Sequence, residues 1–177
     1  MAGSAGGRRI DAPAGSDTRP TSDRVREAVF NALESLQAVD GATVIDAFAG
    51  SGALGIEALS RGAGHAVFSD TDPRAIEVIE ANLRTLALDG AARVLPGGAD
   101  RALASSGPFD LVLLDPPYAF EGWDGLLSAV ASVLAPDGVV VLESDREVVL
   151  PAGLVGIRSK TYGGTVVQFA TAAGAPS

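Results

Sequence analysis

The chain has 177 residues, 47% of them hydrophobic and 20% charged, which suits one ordinary folded domain and excludes a disordered or low-complexity polypeptide. It holds no cysteine and one histidine, which excludes a disulfide framework, a thiolate or multi-histidine metal centre and a cysteine nucleophile. Thirteen basic residues against twenty-two acidic leave a net charge of −9, which argues against a surface built for indiscriminate nucleic-acid binding.

Residues 1–20 are rich in Gly, Ala, Arg and Pro without periodicity and read as an arm or short hairpin ahead of the main domain, residues 21–177. They offer no apolar leader, and no apolar run in the chain approaches the about 18 residues of a membrane span, so a cytoplasmic protein with no membrane association is expected. Charge is uneven. Residues 1–30 carry five arginines and four acids, net +1, and the remainder carries eight basic and eighteen acidic residues, net −10. An anionic partner is therefore expected to meet the N-terminal end.

Thr21 or Ser22 can cap a helix in which Val25, Ala28, Val29, Ala32, Leu33 and Leu36 recur at i, i+3, i+4 spacing. A strand is expected at Thr43–Phe48, a helix near Ala53–Arg61 stopped by Gly62, and a strand at Ala66–Asp70. Asp72 caps the next helix, with Pro73 at its first position, running to about Leu88. Strands follow at Ala92–Leu95, Asp110–Leu114 and Val139–Glu143, with a helix between Gly125 and Leu134. Such alternation gives a parallel sheet with helices on both faces. Leu154–Ser159 and Thr165–Ala170 are separated by five residues, too few for a helix, so the chain ends in an antiparallel hairpin.

Ligands of an open α/β sheet bind at the carboxyl ends of its strands, and the first crossover carries Asp46-Ala47-Phe48-Ala49-Gly50-Ser51-Gly52-Ala53-Leu54-Gly55. Gly50, Gly52 and Gly55 fit a G-x-G-x-x-G loop, and Asp70, at the end of the second strand, can accept hydrogens from both hydroxyls of an adenosine ribose. A nicotinamide dinucleotide is the obvious occupant. Yet Asp46 at the strand tip would repel a pyrophosphate, whereas S-adenosylmethionine (SAM) presents an ammonium and a sulfonium and no phosphate. Asp100, after Ala99, can reach an adenine amino group or serve as a simple helix cap.

The fourth strand runs into Asp115-Pro116-Pro117-Tyr118. Each proline holds the preceding residue extended and lacks an N–H, so the segment cannot close a helical turn and its carbonyls stay free. A carboxylate and the Pro116 carbonyl can accept the two hydrogens of an exocyclic amino group, with Tyr118 as a flat face for the base. His65 reads as structural, Trp123 as an anchor for the following loop, and Glu143-Ser144-Asp145 equally as site or solvated surface. Lys160 and Tyr162 could contact RNA, but the balance falls slightly against it.

The tetrapeptide resembles the motif of methyltransferases acting on amino groups of bases. With Arg19-Pro20-Thr21-Ser22-Asp23-Arg24-Val25-Arg26-Glu27-Ala28-Val29-Phe30-Asn31, Asp46 to Gly55, and Glu57-Ala58-Leu59-Ser60-Arg61-Gly62-Ala63, the chain resembles over nearly its whole length the RsmD family, bacterial methyltransferases of a guanine N2 in 16S ribosomal RNA. The resemblance implies a Rossmann-like class I methyltransferase fold of seven mostly parallel strands. It implies catalytic Asp115, Pro116, Pro117 and Tyr118; SAM contacts by Asp46, Phe48, Gly50, Ser51, Gly52, Asp70, Ala99 and Asp100, with S-adenosylhomocysteine as product; and no metal. Arg8, Arg9, Arg19, Thr21, Arg24 and Arg26 are the expected contacts to 16S RNA, naked or in an assembling small subunit, and a monomer is expected. Two features depart from the family: the chain starts inside the segment where members carry an arginine-bearing strand, and Asp70 stands where a glutamate is common. Rivals are an N6-adenine methyltransferase, a protein-glutamine methyltransferase, a nicotinamide oxidoreductase and a non-catalytic SAM-binding module.

Overall fold

A computed structural model describes residues 10–11, 20–105 and 107–174, with side chains from residue 23 onward in the second segment. Arg8, Arg9, Arg19 and the side chain of Thr21 lie outside the described residues. The first helix, α1, spans Pro20–Ser35. Thr21 and Ser22 therefore lie within its first turn instead of capping it, since proline's fixed φ and missing N–H suit a helix start. Val25, Val29, Phe30 and Leu33 form its buried stripe.

Strand β1 (Thr43–Asp46) leads into α2 (Ala53–Ser60), and β2 (His65–Asp70) into α3 (Pro73–Leu86), where the Asp72 side chain accepts from the Arg74 N–H as a helix cap. After β3 (Ala92–Pro96) comes α4, Ala99–Ala104. Apart from the reading of Asp100 as a simple helix cap, the sequence gives no sign of this helix, because six residues are too few to show a helical period. It places Asp100 in the first turn, with Gly98 at the capping position. The chain continues through β4 (Phe109–Leu114), α5 (Trp123–Val133), β5 (Leu134–Ser144), β6 (Leu154–Tyr162) and β7 (Thr165–Ala172). Strand β5 begins five residues before the expected Val139, because Leu134 already pairs with Phe109 ahead of an irregularity in the ladder.

The seven strands form one sheet in the order β3-β2-β1-β4-β5-β7-β6. Its first five are parallel, and β7 lies antiparallel to both β5 and β6. Strand order reverses between β1 and β4, which opens a crevice at their carboxyl ends.

Alternating side chains divide the core in two. Val44, Phe68, Leu111, Leu113, Val141, Val167 and Phe169 pack beneath α1, α2 and α3. Ile45, Val67, Val112, Leu114, Val140, Leu142 and Ala170 pack against α4 and α5. Each large side chain fully buried in these layers contributes about 1.5–3 kcal/mol. The sheet is thus a rigid platform whose edge carries the loops. His65, at the start of β2, stands at the opposite edge. Among the described residues no helix is long and apolar enough to cross a membrane.

Candidate active site

The glycine loop leaves β1 at Asp46 and is fastened from several sides. Asp46 Oδ2 accepts from Gly55 N–H at 2.9 Å, and Asp70 Oδ2 from Gly50 N–H at 2.9 Å. The other Asp70 oxygen accepts from Asp72 N–H, so each oxygen has one such bond and keeps further acceptor capacity. Gly50 and Gly52 have φ of 55° and 80°, a region that side-chain-bearing residues avoid. Gly55 is required for packing: a Cβ there would stand 2.4 Å from the Phe68 ring. The loop's spacing therefore serves both its backbone turn and the core.

Asn82 of α3, which the sequence reading missed, completes the frame. It is 4% exposed. Its Nδ2 donates to the Ser51 carbonyl at 3.0 Å and to the Asp11 carbonyl at 2.9 Å, while Oδ1 accepts from Asp11 N–H. One amide thus ties the N-terminal segment to the glycine loop. A polar residue on the buried face of an amphipathic helix was the available signal.

Three carboxyl groups stand at neighbouring strand tips. Asp46 is in register with Leu113 and Leu142 with Leu114, which places Asp115 beside Glu143. Strand alternation puts all three on the face covered by α1. Asp46 is 1% exposed, and its Oδ1 has no hydrogen-bond partner among the described residues. Burial pushes its pKa up to about 7, opposed by the Gly55 N–H and reinforced by Asp115 and Asp70. Glu143 is pushed up to about 8 by burial and by repulsion from Asp115 and Asp46, against the pull of Arg26. Asp115 keeps an exposed surface, yet the protein around it strips enough water to raise its pKa to about 6. Groups this close share protons, so the row carries fewer than three charges at neutral pH.

Beyond β4 the Asp115-Pro116-Pro117-Tyr118 loop is open. No hydrogen bond among the described residues uses the Asp115 carboxylate or the Pro116 carbonyl. Phe120 N–H closes a turn onto the Pro117 carbonyl at 2.8 Å, and the Tyr118 hydroxyl lies 3.4 Å from that of Thr165. Tyr118 is 55% exposed, a large aromatic face with little covering it. Phe48, Phe120 and Trp123 meet edge to face at 5.5 and 5.3 Å, joining the glycine loop to the base of this one. Ala99 is buried and Asp100 exposed at the start of α4, on the same sheet edge.

The arginines of α1 part company. Arg24 is exposed. The Arg26 side chain is only 16% exposed, and its guanidinium sits 3.0 Å from Asp23 and 3.9 Å from Glu57. Arg61 pairs with Glu57 at 2.8 Å and Glu34 at 2.9 Å and lies over the Phe30 ring. Two of the sequence blocks that carry the family resemblance thus form an ionic staple between α1 and α2. No group of three or more His, Asp or Glu side chains suited to a metal ion occurs among the described residues.

Comparison with known proteins agrees with this architecture. The family model described as "Conserved hypothetical protein 95" matches residues 1–171. The chain is 44% identical to "Putative rRNA methyltransferase YlbH" of Bacillus subtilis, over 96% of each protein. It is 39% identical to "Ribosomal RNA small subunit methyltransferase D" of Escherichia coli, over 82% of this chain and 73% of that protein. The solved structure "Putative methyltransferase yhhF from Escherichia coli" superposes with a TM-score of 0.85 at 34% identity, covering 97% of this chain and 96% of that one. With the sheet order, the glycine loop and the Asp-Pro-Pro-Tyr tip in place, the chain has a class I methyltransferase fold and belongs to the Conserved hypothetical protein 95 family, the RsmD family its motifs resemble.

Proposed function

We propose that this protein transfers a methyl group from SAM to the exocyclic N2 of a guanine in 16S ribosomal RNA, as a cytoplasmic enzyme. The observation that carries the chemistry is the pair of free acceptors, Asp115 carboxylate and Pro116 carbonyl, one strand away from the orphaned Asp46 oxygen. Relatives named for small-subunit ribosomal RNA supply the substrate class. The family resemblance selects guanine N2 over adenine N6, with which the tetrapeptide is shared.

The residues present fit SAM. Asp46 Oδ1, buried and unpartnered, suits an ammonium and repels a pyrophosphate, which favours SAM over a dinucleotide. Asp70 retains lone pairs for ribose hydroxyls; Phe48, Gly50, Ser51, Gly52, Ala99 and Asp100 would line the remainder. When bound, SAM supplies a methyl group made electrophilic by its sulfonium. Asp115 and the Pro116 carbonyl hold the amino hydrogens so that the nitrogen lone pair turns away from the ring, Pro117 stiffens the loop, and Tyr118 stacks on the base. A target base must leave its stack to enter. As the nitrogen–carbon bond forms and the carbon–sulfur bond breaks, the nitrogen sheds a proton, for which Asp115, with a pKa of about 6, is a competent acceptor.

Incubation with labelled SAM and small ribosomal subunits lacking the modification, followed by nucleoside analysis, tests the assignment. Label in N2-methylguanosine of 16S RNA is expected. Label in N6-methyladenosine, or in protein, overturns it.

A further inference from the structure

The C-terminal hairpin carries a feature that the reaction above does not use. In register, Arg158 faces Phe169, Lys160 faces Val167 and Tyr162 faces Thr165. Val167 and Phe169 belong to the layer beneath α1, so Arg158, Lys160 and Tyr162 project to the same side of the sheet as the row of carboxyl groups. Tyr162 and Thr165 flank the turn at the carboxyl end of β5, where the Tyr118 hydroxyl meets Thr165. At about 3.4 Å per residue, the three side chains mark a line of about 14 Å leading outward from Tyr118 along the sheet's last strand.

Position, and not the lack of a carboxylate alone, sets them apart from the other cations of this acidic body. Arg26, Arg61, Arg84 and Arg146 are committed to carboxylates, whereas Arg24, Arg74, Arg93 and Arg101 are exposed without one among the described residues but lie on elements other than the strand leading outward from Tyr118. Arg158 and Lys160 are exposed, and no carboxylate lies within ion-pair reach of either among the described residues. Lys160 instead sits 5.0 Å over the Tyr162 ring, an aromatic and ammonium pair that suits a stacked base beside its phosphate.

Resting on the RNA-methylation reading, we propose that strand β6 is a second RNA-contact surface, on which Tyr162, Lys160 and Arg158 hold the substrate strand leading to the base over Tyr118. The sequence alone leans against such a role, because two cations in a hairpin are unremarkable until the fold brings their strand to the catalytic loop. Charged side chains also guard edge strands against pairing with another copy, and β6 is such a strand. That alternative does not account for a cation stacked on an aromatic ring at the end nearest the site.

The test compares wild type, Arg158→Gln/Lys160→Gln, and Arg93→Gln on the opposite edge strand β3. Binding of labelled unmodified 16S RNA is measured against salt, alongside steady-state methylation, SAM calorimetry, melting and gel filtration. For the double variant we expect a slope of log affinity against log salt shallower by about 1.4–1.8 at 0.7–0.9 per lost contact. The KM for RNA should rise several-fold, with kcat, SAM affinity and melting unchanged, and Arg93→Gln should match wild type. An unchanged slope and KM overturn the proposal. So does self-association of the double variant with RNA affinity intact, which would make the cations edge guards. If wild type binds 16S RNA but methylates a different base, the assigned reaction fails while the salt slopes still decide the role of β6.

Discussion

From Asp46 to Gly55, the glycine loop is tied to β2 through Asp70, to α3 through Asn82 and to its own strand through Asp46. From Asp115 to Phe120, the neighbouring loop makes, among the described residues, one turn hydrogen bond and one long hydroxyl contact. Both hang from the same sheet edge. The first loop spends its polar groups internally, and in the proposed function it would offer SAM a fixed shape and a few leftover lone pairs. The second is stiffened by prolines, which remove donors, and it leaves the Asp115 carboxylate and the Pro116 carbonyl without a hydrogen bond among the described residues, the acceptors that the proposed function gives to the substrate. Preorganisation is reached by hydrogen bonding in one loop and by covalent rigidity in the other.

Asp115→Ala tests that contrast most severely. If this acceptor serves the substrate as proposed, its removal should lower methyl transfer by about 10²–10³-fold or more, in the range seen when one positioned polar group is lost from an active site. SAM affinity should stay within a few-fold, because the glycine loop is untouched. Single-turnover kinetics with calorimetry separates the two, and a rate within ten-fold of wild type would mean that the loop is only structural.

Tyr118→Ala should remove a base stack of about 1–3 kcal/mol, a 5- to 150-fold loss in kcat/KM. Tyr118→Phe sharpens the point: it loses only the 3.4 Å contact to Thr165 and should stay within a few-fold of wild type. Equal losses in both variants would assign the residue's role to its hydroxyl.

Much of this site is legible in the sequence because its signals are local. Gly50, Gly52 and Gly55 mark a loop, Asp72 and Pro73 announce a helix start, and Pro116 and Pro117 each hold the residue before them extended. What stays hidden is non-local. Glu143 reads equally as solvated surface, and only the β4–β5 register sets it beside Asp115. Arg26 reads as a phosphate contact, but α1 lies against α2 and directs its guanidinium toward Glu57. The short α4 escapes because six residues between a strand and a cis Gly107-Pro108 turn contain too little periodicity.

Asn82 belongs with these hidden residues and offers the third test. Asn82→Ala removes the hydrogen bonds to the half-buried Ser51 carbonyl and to both backbone groups of the exposed Asp11, at about 0.5–1.5 kcal/mol each. A fall in melting temperature of about 2–4 °C per kcal/mol should follow, together with weaker SAM binding, since Ser51 sits between the two glycines. Weakened SAM binding with an unchanged Asp115 loop would confirm that the two loops are built independently. Unchanged melting and affinity would show that neither loop depends on the tie.

The smallest effect expected, and the most diagnostic of the electrostatics, is that of Asp46→Asn on the ligand-free protein. Asp46, Asp115 and Glu143 all have folded pKa values raised above their ordinary ones, to about 7, 6 and 8. An acid whose folded pKa is raised binds more protons in the native state than in the unfolded one, so its contribution to stability falls as pH rises through the window between the two values. Wild type should therefore lose stability between about pH 4 and 8. The asparagine keeps a carbonyl oxygen for the Gly55 N–H, deletes a buried charge, and relieves the repulsion that raises Glu143. Its melting curve should be flatter with pH and a few degrees above wild type at pH 8, with the two converging near pH 4, where Asp46 is protonated in the fold. A variant less stable than wild type at pH 8 would mean that Asp46 is held as a satisfied carboxylate, and that its free oxygen is not waiting for a cation.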